Sequence, residues 1–360
     1  MRIAFFTELF TPSRGGQEFR YGRLAKALAE GGHSAAIFTV DHTGGSLPVE
    51  ETIDGTPVVR YLALRDFVRP GRRSLDGLGR YALATAAEVR RRRDEFDAVV
   101  VNQMPLAHLP FLPRDARLAV DWCEYAPGSL AGGLSRWEAG RFDRNLTVDD
   151  TVGRRLAAPR ARAAWCVVRT PLELARYADG PKAEGRILFV GRLVPHKNVA
   201  ALAEAVVRLR DRGTVPWTLD VVGDGPLAPA LRERFARYSF VRFVGPIDDA
   251  TKCALLRSAF LVALPSLREG LPNAALEALA SGAPIVTCDA PQNALADFVR
   301  AHGVGAVARG PGPAAIAAAI AGVDRAAWEG YRARAGALRE SLDPTRSARA
   351  LVSFLQGVST

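Results

Sequence analysis

Short apolar segments alternate with amphipathic helical segments along almost the whole chain, and this alternation constrains the fold more than any other feature. It predicts parallel sheets covered by helices, that is, an α/β protein with doubly wound sheets. Strands are expected at residues 3–7, 35–40, 58–61, 98–101, 118–120 and 164–168, and again at 187–190, 218–222, 241–244, 260–264, 285–287 and 305–307. In such sheets, ligands bind beyond the carboxyl ends of the strands.

The length of 360 residues favours two domains. Residues 178–185 are polar and contain Gly180, Pro181 and Gly185, which indicates a linker. The expected domains are therefore residues 1–178 and 179–343, each Rossmann-like. Residues 344–356 predict a final helix, and no local feature decides whether that helix packs back on the first domain.

The formal net charge is +10, yet only four basic residues are lysines, an arginine-heavy composition typical of a GC-rich, for example actinobacterial, genome. No nucleic-acid-binding signature accompanies the charge, so nucleic acid is not an expected partner. The basic segments at residues 65–73 and 90–93 would suit an anionic membrane surface. For residues 90–93, the solvated end of a helix is the favoured interpretation.

No apolar run is long enough to span a membrane, and the N-terminus does not resemble a signal peptide, so a cytoplasmic protein is expected, with peripheral contact at the inner membrane face as an option. The four cysteines lie far apart, without the spacing of zinc ligands. No carboxylate cluster indicates another metal, and no cofactor is expected.

Four motifs lie at predicted strand ends. Gly15-Gly16, before the first helix, allows close backbone approach to a phosphate. Arg192 and Lys197 follow the first strand of the second half, where both could neutralise a diphosphate. The third motif is residues 223–228, and the fourth is a pair of glutamates, Glu269 and Glu277, that flank a helix start.

Residues 223–228 match the glycine pattern of dinucleotide-binding loops, which raises a nicotinamide-dependent oxidoreductase as a rival function. The match follows an internal strand, and no acidic residue lies about twenty positions further on to hold a ribose. A structural turn is the favoured interpretation. A non-catalytic sugar- or nucleotide-binding protein is the third possibility.

These motifs, in this order, resemble the retaining glycosyltransferases of family 4, also described as group 1, which have the GT-B fold. The resemblance is strongest over residues 185–287 and implies two Rossmann-like domains facing a cleft. The first would bind an acceptor, and the second would bind a nucleoside-diphosphate sugar of the UDP or GDP type. A hexose-type sugar would move, with retention and without a metal, to a small-molecule, lipid or glycan acceptor.

The resemblance also implies roles for individual residues. Glu277 would bind the donor ribose, Glu269 would lie beside the transferred sugar, and Arg192 and Lys197 would neutralise the leaving diphosphate. Further donor contacts would come from Gly15, Gly16, Gly270, Leu271, Pro272 and Asn273.

The first half departs from the family pattern. Asn102 stands where relatives often have a histidine near the sugar, and His108 is a possible substitute with a catalytic role, although a packed or solvated histidine is favoured. Cys123 and Glu124 replace a frequent histidine–acid pair. Glu124 is therefore a candidate base or anchor on the acceptor side, with a surface acid as the equal alternative.

Overall fold

The computed structural model describes residues 1–13, 15–65, 68–69, 72–125, 130–157, 163–178, 180–211, 213 and 215–357, with residues 68, 69, 72 and 73 described by their backbone alone. The chain forms two compact units. The first contains Met1–Pro171 and Pro344–Thr360, and the second contains Leu172–Asp343.

The helices and strands follow the alternation expected from the sequence. In the first unit they are β1 (Arg2–Phe6), α1 (Gly16–Glu30), β2 (Ser34–Asp41), β3 (Glu50–Ile53), β4 (Thr56–Ala63), β5 (Val68–Arg69), β6 (Arg72–Arg73), α2 (Leu75–Arg92), β7 (Ala98–Asn102), β8 (Leu118–Trp122), α3 (Leu130–Ala139), β9 (Arg144–Thr147), α4 (Asp150–Leu156) and β10 (Ala164–Val167).

The second unit continues with β11 (Ala183–Val190), α5 (Val199–Asp211), β12 (Thr218–Val222), α6 (Ala228–Phe235), β13 (Val241–Gly245), α7 (Asp249–Ser258), β14 (Ala259–Ala263), β15 (Arg268–Glu269), α8 (Asn273–Ala280), β16 (Ile285–Cys288), β17 (Gln292–Asn293), α9 (Ala294–His302), β18 (Gly305–Ala308), α10 (Pro313–Ala321) and α11 (Arg325–Arg339). The last helix, α12 (Pro344–Gln356), returns to the first unit.

The first unit is built on an eight-stranded sheet in the order β10-β9-β8-β7-β1-β2-β4-β3. Its strands are parallel except β3, which is antiparallel to β4. The sequence analysis missed β3 and β9 because neither has an apolar run. In β9, Asn145 is fully buried: its Oδ1 accepts from Trp122 Nε1 at 2.7 Å and its Nδ2 donates to Ala139 O at 3.1 Å. These bonds satisfy a polar side chain that burial would otherwise destabilise.

The final helix shares its core with α1. Leu351 and Leu355 of α12 lie in the same buried cluster as Tyr21, Leu24 and Leu28 of α1. Ser347 Oγ adds a hydrogen bond to Arg169 O at 3.3 Å. The helix bounds agree with those expected from the sequence, and its contacts place it on the first unit.

The second unit is built on a six-stranded parallel sheet in the order β13-β12-β11-β14-β16-β18. Strands β11 and β14 are neighbours in the sheet although α5, β12, α6, β13 and α7 separate them in the chain, so the strand order reverses between them. Strands β15 and β17, which both follow β14 in the chain, form a separate two-stranded parallel sheet.

The linker expected at residues 178–185 was wrong. Residues 172–178 already belong to the second unit, where Leu172 N donates to Leu342 O at 2.8 Å and Tyr177 is buried. Gly185 lies inside β11, with φ +75°, where the pairing with β14 is irregular between Ala183 and Ile187. The glycine therefore serves a distorted strand and not a linker.

Candidate functional site

Two loops meet at the carboxyl ends of β11 and β14, where the strand order of the second unit reverses. The loop after β11 carries Arg192 and Lys197, and the loop after β14 carries Glu269. The backbone joins them, because Leu267 N donates to His196 O at 2.7 Å. Such reversals are the usual ligand sites of open parallel sheets. The structure thus brings together three of the residues that the sequence analysis selected.

Glu269 accepts hydrogen bonds from both loops. Its Oε2 forms an ion pair with Lys197 Nζ and accepts from Ser266 Oγ at 3.0 Å. The Lys197 and Glu269 side chains are only 18% and 15% exposed, so water screens this pair less than it would a surface pair. Lys197 thereby connects the loop after β11 with Glu269 of the loop after β14.

The loop after β11 is electropositive. The side chain of Arg192 is exposed and forms no hydrogen bond or ion pair with any residue that the structure describes. Burial lowers the pKa of His196 below its usual value, and the nearby Lys197, Arg268 and Arg192 lower it further. His196 is therefore neutral at physiological pH, and the fixed cations favour an anionic ligand.

Two glycines of the fingerprint at residues 223–228 hold that loop against the loop after β11. A Cβ on Gly223, which has φ +122°, would lie 2.0 Å from Gly191 O, and one on Gly225 would lie 2.5 Å from Leu193 O. Leu193 N donates to Asp224 O at 2.8 Å. The glycines permit this backbone contact, as expected for a structural turn, and the motif follows β12, the neighbour of β11 in the sheet.

The end of β16 supports the loop that leads to Glu269. Thr287 Oγ1 donates to Leu264 O at 2.8 Å, and Cys288 Sγ donates to Pro265 O at 3.2 Å. Asn293 Nδ2 donates to Thr287 Oγ1 at 2.9 Å, and Asn293 pairs with Glu269 between β17 and β15. Sequence reasoning missed these residues, although a polar pair at the carboxyl end of a buried strand was an available signal.

Glu277 lies on α8, which begins at Asn273. Its side chain is buried, and Oε1 accepts from Tyr177 Oη at 3.1 Å and from Lys252 Nζ at 3.0 Å. The partners of this buried carboxylate are thus a lysine and a tyrosine. Of the other expected donor contacts on this loop, Gly270 is buried, whereas Leu271, Pro272 and Asn273 are half-buried.

Asn102 of the first unit has no accessible surface. Its Nδ2 donates to Tyr21 Oη at 3.2 Å, and its Oδ1 accepts from Met104 N at 2.8 Å. Tyr21 in turn donates to Asp121, which forms a buried ion pair with Arg20 at 2.8 Å. The expected sugar contact of Asn102 is therefore contradicted, because both ends of its amide are used inside the core.

His108 is also fully buried, in the 3-10 helix Leu106–Phe111. Its ring lies edge-on to Tyr81, and Nδ1 lies 2.5 Å from Pro105 O. Burial lowers the pKa of His108 to about 4. The catalytic role was wrong, because this imidazole reaches no solvent, and the packed histidine weighed as the alternative is what the structure shows.

Cys123 and Glu124 follow β8 and are half-buried. Gln103 holds both, since its Oε1 accepts from Cys123 N at 2.7 Å and from Glu124 N at 3.1 Å. Burial raises the pKa of the Cys123 thiol, which therefore stays protonated. Their acceptor-side role stays a prediction.

Gly15 and Gly16 are exposed at the start of α1. The carboxylate of Glu18 lies against Gly15, where a Cβ would meet its Oε2 at 2.5 Å, and Ser13 Oγ donates to Glu18 Oε1 at 2.9 Å. An acid already occupies the first helical turn, which disfavours a phosphate there. Donor binding by these glycines stays a prediction.

The arginines at the end of α2 are mostly paired. Arg91 and Arg92 bind Glu88, and Arg93 lies 3.4 Å from Asp115. This pairing agrees with the solvated helix end favoured from the sequence. Of the other basic segment, residues 66, 67, 70 and 71 and every side chain from 66 to 73 lie outside the described part. Among the described helices, none is both long and apolar enough to cross a membrane.

Comparison with known proteins agrees with this picture. The family model described as glycosyl transferases group 1 matches residues 184–323. Phosphatidyl-myo-inositol mannosyltransferase of Mycolicibacterium smegmatis is 33% identical over 307 residues, covering 80% of this chain and 76% of that enzyme. The first curated relatives align over shorter regions, so the chain spans only 26–29% of their length.

Solved structures establish the fold. Sucrose-phosphate synthase from Thermosynechococcus elongatus superposes with a TM-score of 0.76 at 17% identity, covering 99% of this chain and 98% of that chain. An α,α-trehalose-phosphate synthase (UDP-forming) from Burkholderia xenovorans, in complex with glucose-6-phosphate, has a TM-score of 0.73 at 13% identity, covering 99% and 100%. The expected GT-B fold is confirmed. The chain belongs to the group 1 glycosyltransferases.

Proposed function

We propose that this protein is a retaining, metal-independent glycosyltransferase that moves a hexose-type sugar from a UDP- or GDP-sugar to an acceptor. The observation that carries the proposal is the meeting of Arg192, Lys197 and Glu269 at the β11–β14 reversal. Two cations and a carboxylate at this position fit a ligand that joins a diphosphate to a polar sugar.

The reaction depends on stabilising the negative charge of the leaving diphosphate, since no proton is removed from the sugar carbon. The bond between C1 and the diphosphate oxygen breaks, the acceptor oxygen bonds to C1, and its proton passes to the departing diphosphate. Arg192 and Lys197 would stabilise the negative charge that develops on the leaving group. A bound diphosphate would compete with Glu269 for Lys197 Nζ, which leaves the carboxylate available to sugar hydroxyls.

The acceptor is proposed more broadly, as a small molecule, lipid or glycan. The mannosyltransferase relative takes its name from a membrane lipid, which supports a lipid acceptor here. In that case the enzyme would work in the cytoplasm, in peripheral contact with the inner membrane face. The pairing of Arg91, Arg92 and Arg93 argues against the end of α2 as the contact.

A thermal-shift panel tests the donor class, because a ligand that binds only the folded state raises the melting temperature. The panel contains UDP, GDP, TDP, ADP, their sugar conjugates, NADH and NADPH. We expect a shift with one nucleoside diphosphate, which Lys197→Ala reduces and Lys26→Ala, at an exposed position of α1, does not. A shift with a nicotinamide dinucleotide alone would overturn the proposal in favour of an oxidoreductase.

A further inference from the structure

Glu277 is held by two side chains that come from different parts of the second unit. Tyr177 lies in the 3-10 helix Leu174–Tyr177, before the sheet begins, and Lys252 lies on α7. Both donate to the same carboxylate oxygen, Oε1, at 3.1 Å and 3.0 Å. Two donors from separate elements hold the position of this one oxygen.

Lys252 gives the buried Glu277 side chain a charged partner. Burial alone would lower the pKa of Lys252, but Glu277 and Asp249 raise it above its usual value. Lys252 Nζ lies 3.1 Å from Asp249 Oδ1, at the more exposed side of the cluster. The lysine therefore stays protonated, and it gives the buried Glu277 carboxylate the paired charge that burial requires.

A further contact fixes the distance between Tyr177 and the helix that carries Glu277. Arg339 of α11 donates from Nε to Ala280 O, in the last turn of α8, at 3.0 Å. The same guanidinium donates from Nη2 to Leu174 O at 2.9 Å. One planar guanidinium thus joins α8, which carries Glu277, to the 3-10 helix that carries Tyr177.

We propose that Tyr177 and Lys252 are positioning residues that hold Glu277 through Oε1 and thereby direct Oε2 at the ribose hydroxyls of the donor nucleotide. The inference rests on the proposed function and on the ribose-binding role that the family resemblance implies for Glu277. It assigns a binding role to a segment that the sequence had placed in the other domain. A purely structural pair would stabilise α8 without any effect on ribose recognition.

The test measures ribose recognition directly. Calorimetry gives the affinities of UDP and GDP and of the 2′,3′-dideoxy form of the one that binds. We expect the wild-type protein to prefer the ribose form by about tenfold or more, since a hydrogen bond to a charged group contributes about 1.5–3 kcal/mol. Tyr177→Phe and Lys252→Met should reduce this preference to about twofold, with little change in the affinity of the dideoxy form.

Matched variants separate positioning from stability. Tyr238→Phe removes a hydroxyl that contacts only the neighbouring Arg237 in the hydrogen bonds described, at 2.6 Å, and should keep the full preference. Lys252→Arg retains the charge and should restore most of the preference lost in Lys252→Met. This second pair keeps the test valid if Tyr177→Phe does not fold.

Three results would overturn the inference. The first is an equal loss of affinity for both ligand forms in Tyr177→Phe and Lys252→Met, which indicates a structural role. The second is an unchanged ribose preference in these variants, and the third is a wild-type protein without any preference. Failure of the wild-type protein to bind any nucleoside diphosphate is a different result, because it rejects the proposed function itself.

Discussion

At the scale of single residues, His108 and Lys197 show how surroundings decide the chemistry of a side chain. His108 lies in the core, with its pKa lowered to about 4 by burial. Lys197 lies in the loop after β11 and forms an ion pair with Glu269, whose carboxylate also accepts a hydrogen bond from Ser266. His108 therefore serves packing, whereas Lys197 can exchange Glu269 for another anionic partner.

The buried imidazole predicts a pH dependence of stability. The unfolded chain binds a proton at His108 near pH 6.5, whereas the folded protein does so only near pH 4. The free energy of unfolding is therefore unaffected by this histidine above pH 6.5. It decreases by roughly 3 kcal/mol as the pH falls from 6.5 to 4, because only the unfolded chain is protonated at His108 in that range. Urea unfolding between pH 4 and 7 measures the loss, which His108→Gln should reduce and His302→Gln should not. An unchanged slope in His108→Gln would contradict this account.

The Lys197–Glu269 pair predicts a loss of activity in either single variant. Lys197→Ala and Glu269→Ala should each lower kcat/KM for sugar transfer by about a hundredfold or more, because charge stabilisation of a leaving group contributes a few kcal/mol. Initial rates with the donor found in the thermal-shift panel measure this. Lys26→Ala, an exposed lysine on α1, is the control. Normal transfer by both variants would reject the site.

At the scale of elements, the site depends on the contact between two loops and on the strand order beneath them. The loop after β12 lies against the loop after β11 with no room for a side chain at Gly223. The end of β16 holds the loop after β14 through Thr287 and Cys288. Each loop that carries a candidate residue is thus supported by a neighbouring strand end.

Gly223→Ala should strongly destabilise the second unit. Its Cβ would meet Gly191 O at 2.0 Å, and alanine disfavours the observed φ of +122°. We expect a loss of about 2–4 kcal/mol in urea unfolding and weaker nucleotide binding. Gly79→Ala on α2 is the matched control, since a Cβ there has no neighbour within 4 Å. That variant should be neutral or slightly stabilised, and equal losses in both would contradict the loop-contact argument.

At the scale of the whole molecule, the chain builds two units and then returns to the first. Helix α12 packs its Leu351 and Leu355 into the core that contains α1, so the first unit is complete only after the second has been synthesised. The family-model match, residues 184–323, lies entirely within the second unit, Leu172–Asp343.

Removal of α12 should therefore destabilise the first unit selectively. A chain ending at Asp343 loses the apolar contacts of Leu351 and Leu355, which contribute several kcal/mol. Hydrogen exchange should show faster exchange in α1 and little change in β11 or β14. A chain ending at Gln356 keeps the whole helix and serves as the control. Unchanged exchange in α1 of the shorter chain would contradict the packing role.

The alternation of apolar strands and amphipathic helices determined the α/β class, the approximate positions of most strands and the bounds of α12. It also placed Arg192, Lys197 and Glu269 at strand ends, because periodicity reports which residues a local element buries. The motifs of the second half identified the family through the same local information. These properties could be predicted because each depends on residues close together in the sequence.

Only the tertiary structure decided which distant groups meet. Tyr177 and Lys252 reach Glu277 from 100 and 25 residues away, and no local pattern indicates either contact. Asn102 and His108 have the chemistry of ligand-binding residues, but packing closes them inside the core. Gly185 looked like part of a linker until pairing with β14 placed it in a strand. Sequence periodicity fixes the elements, whereas the order of strands in each sheet decides which side chains share a site.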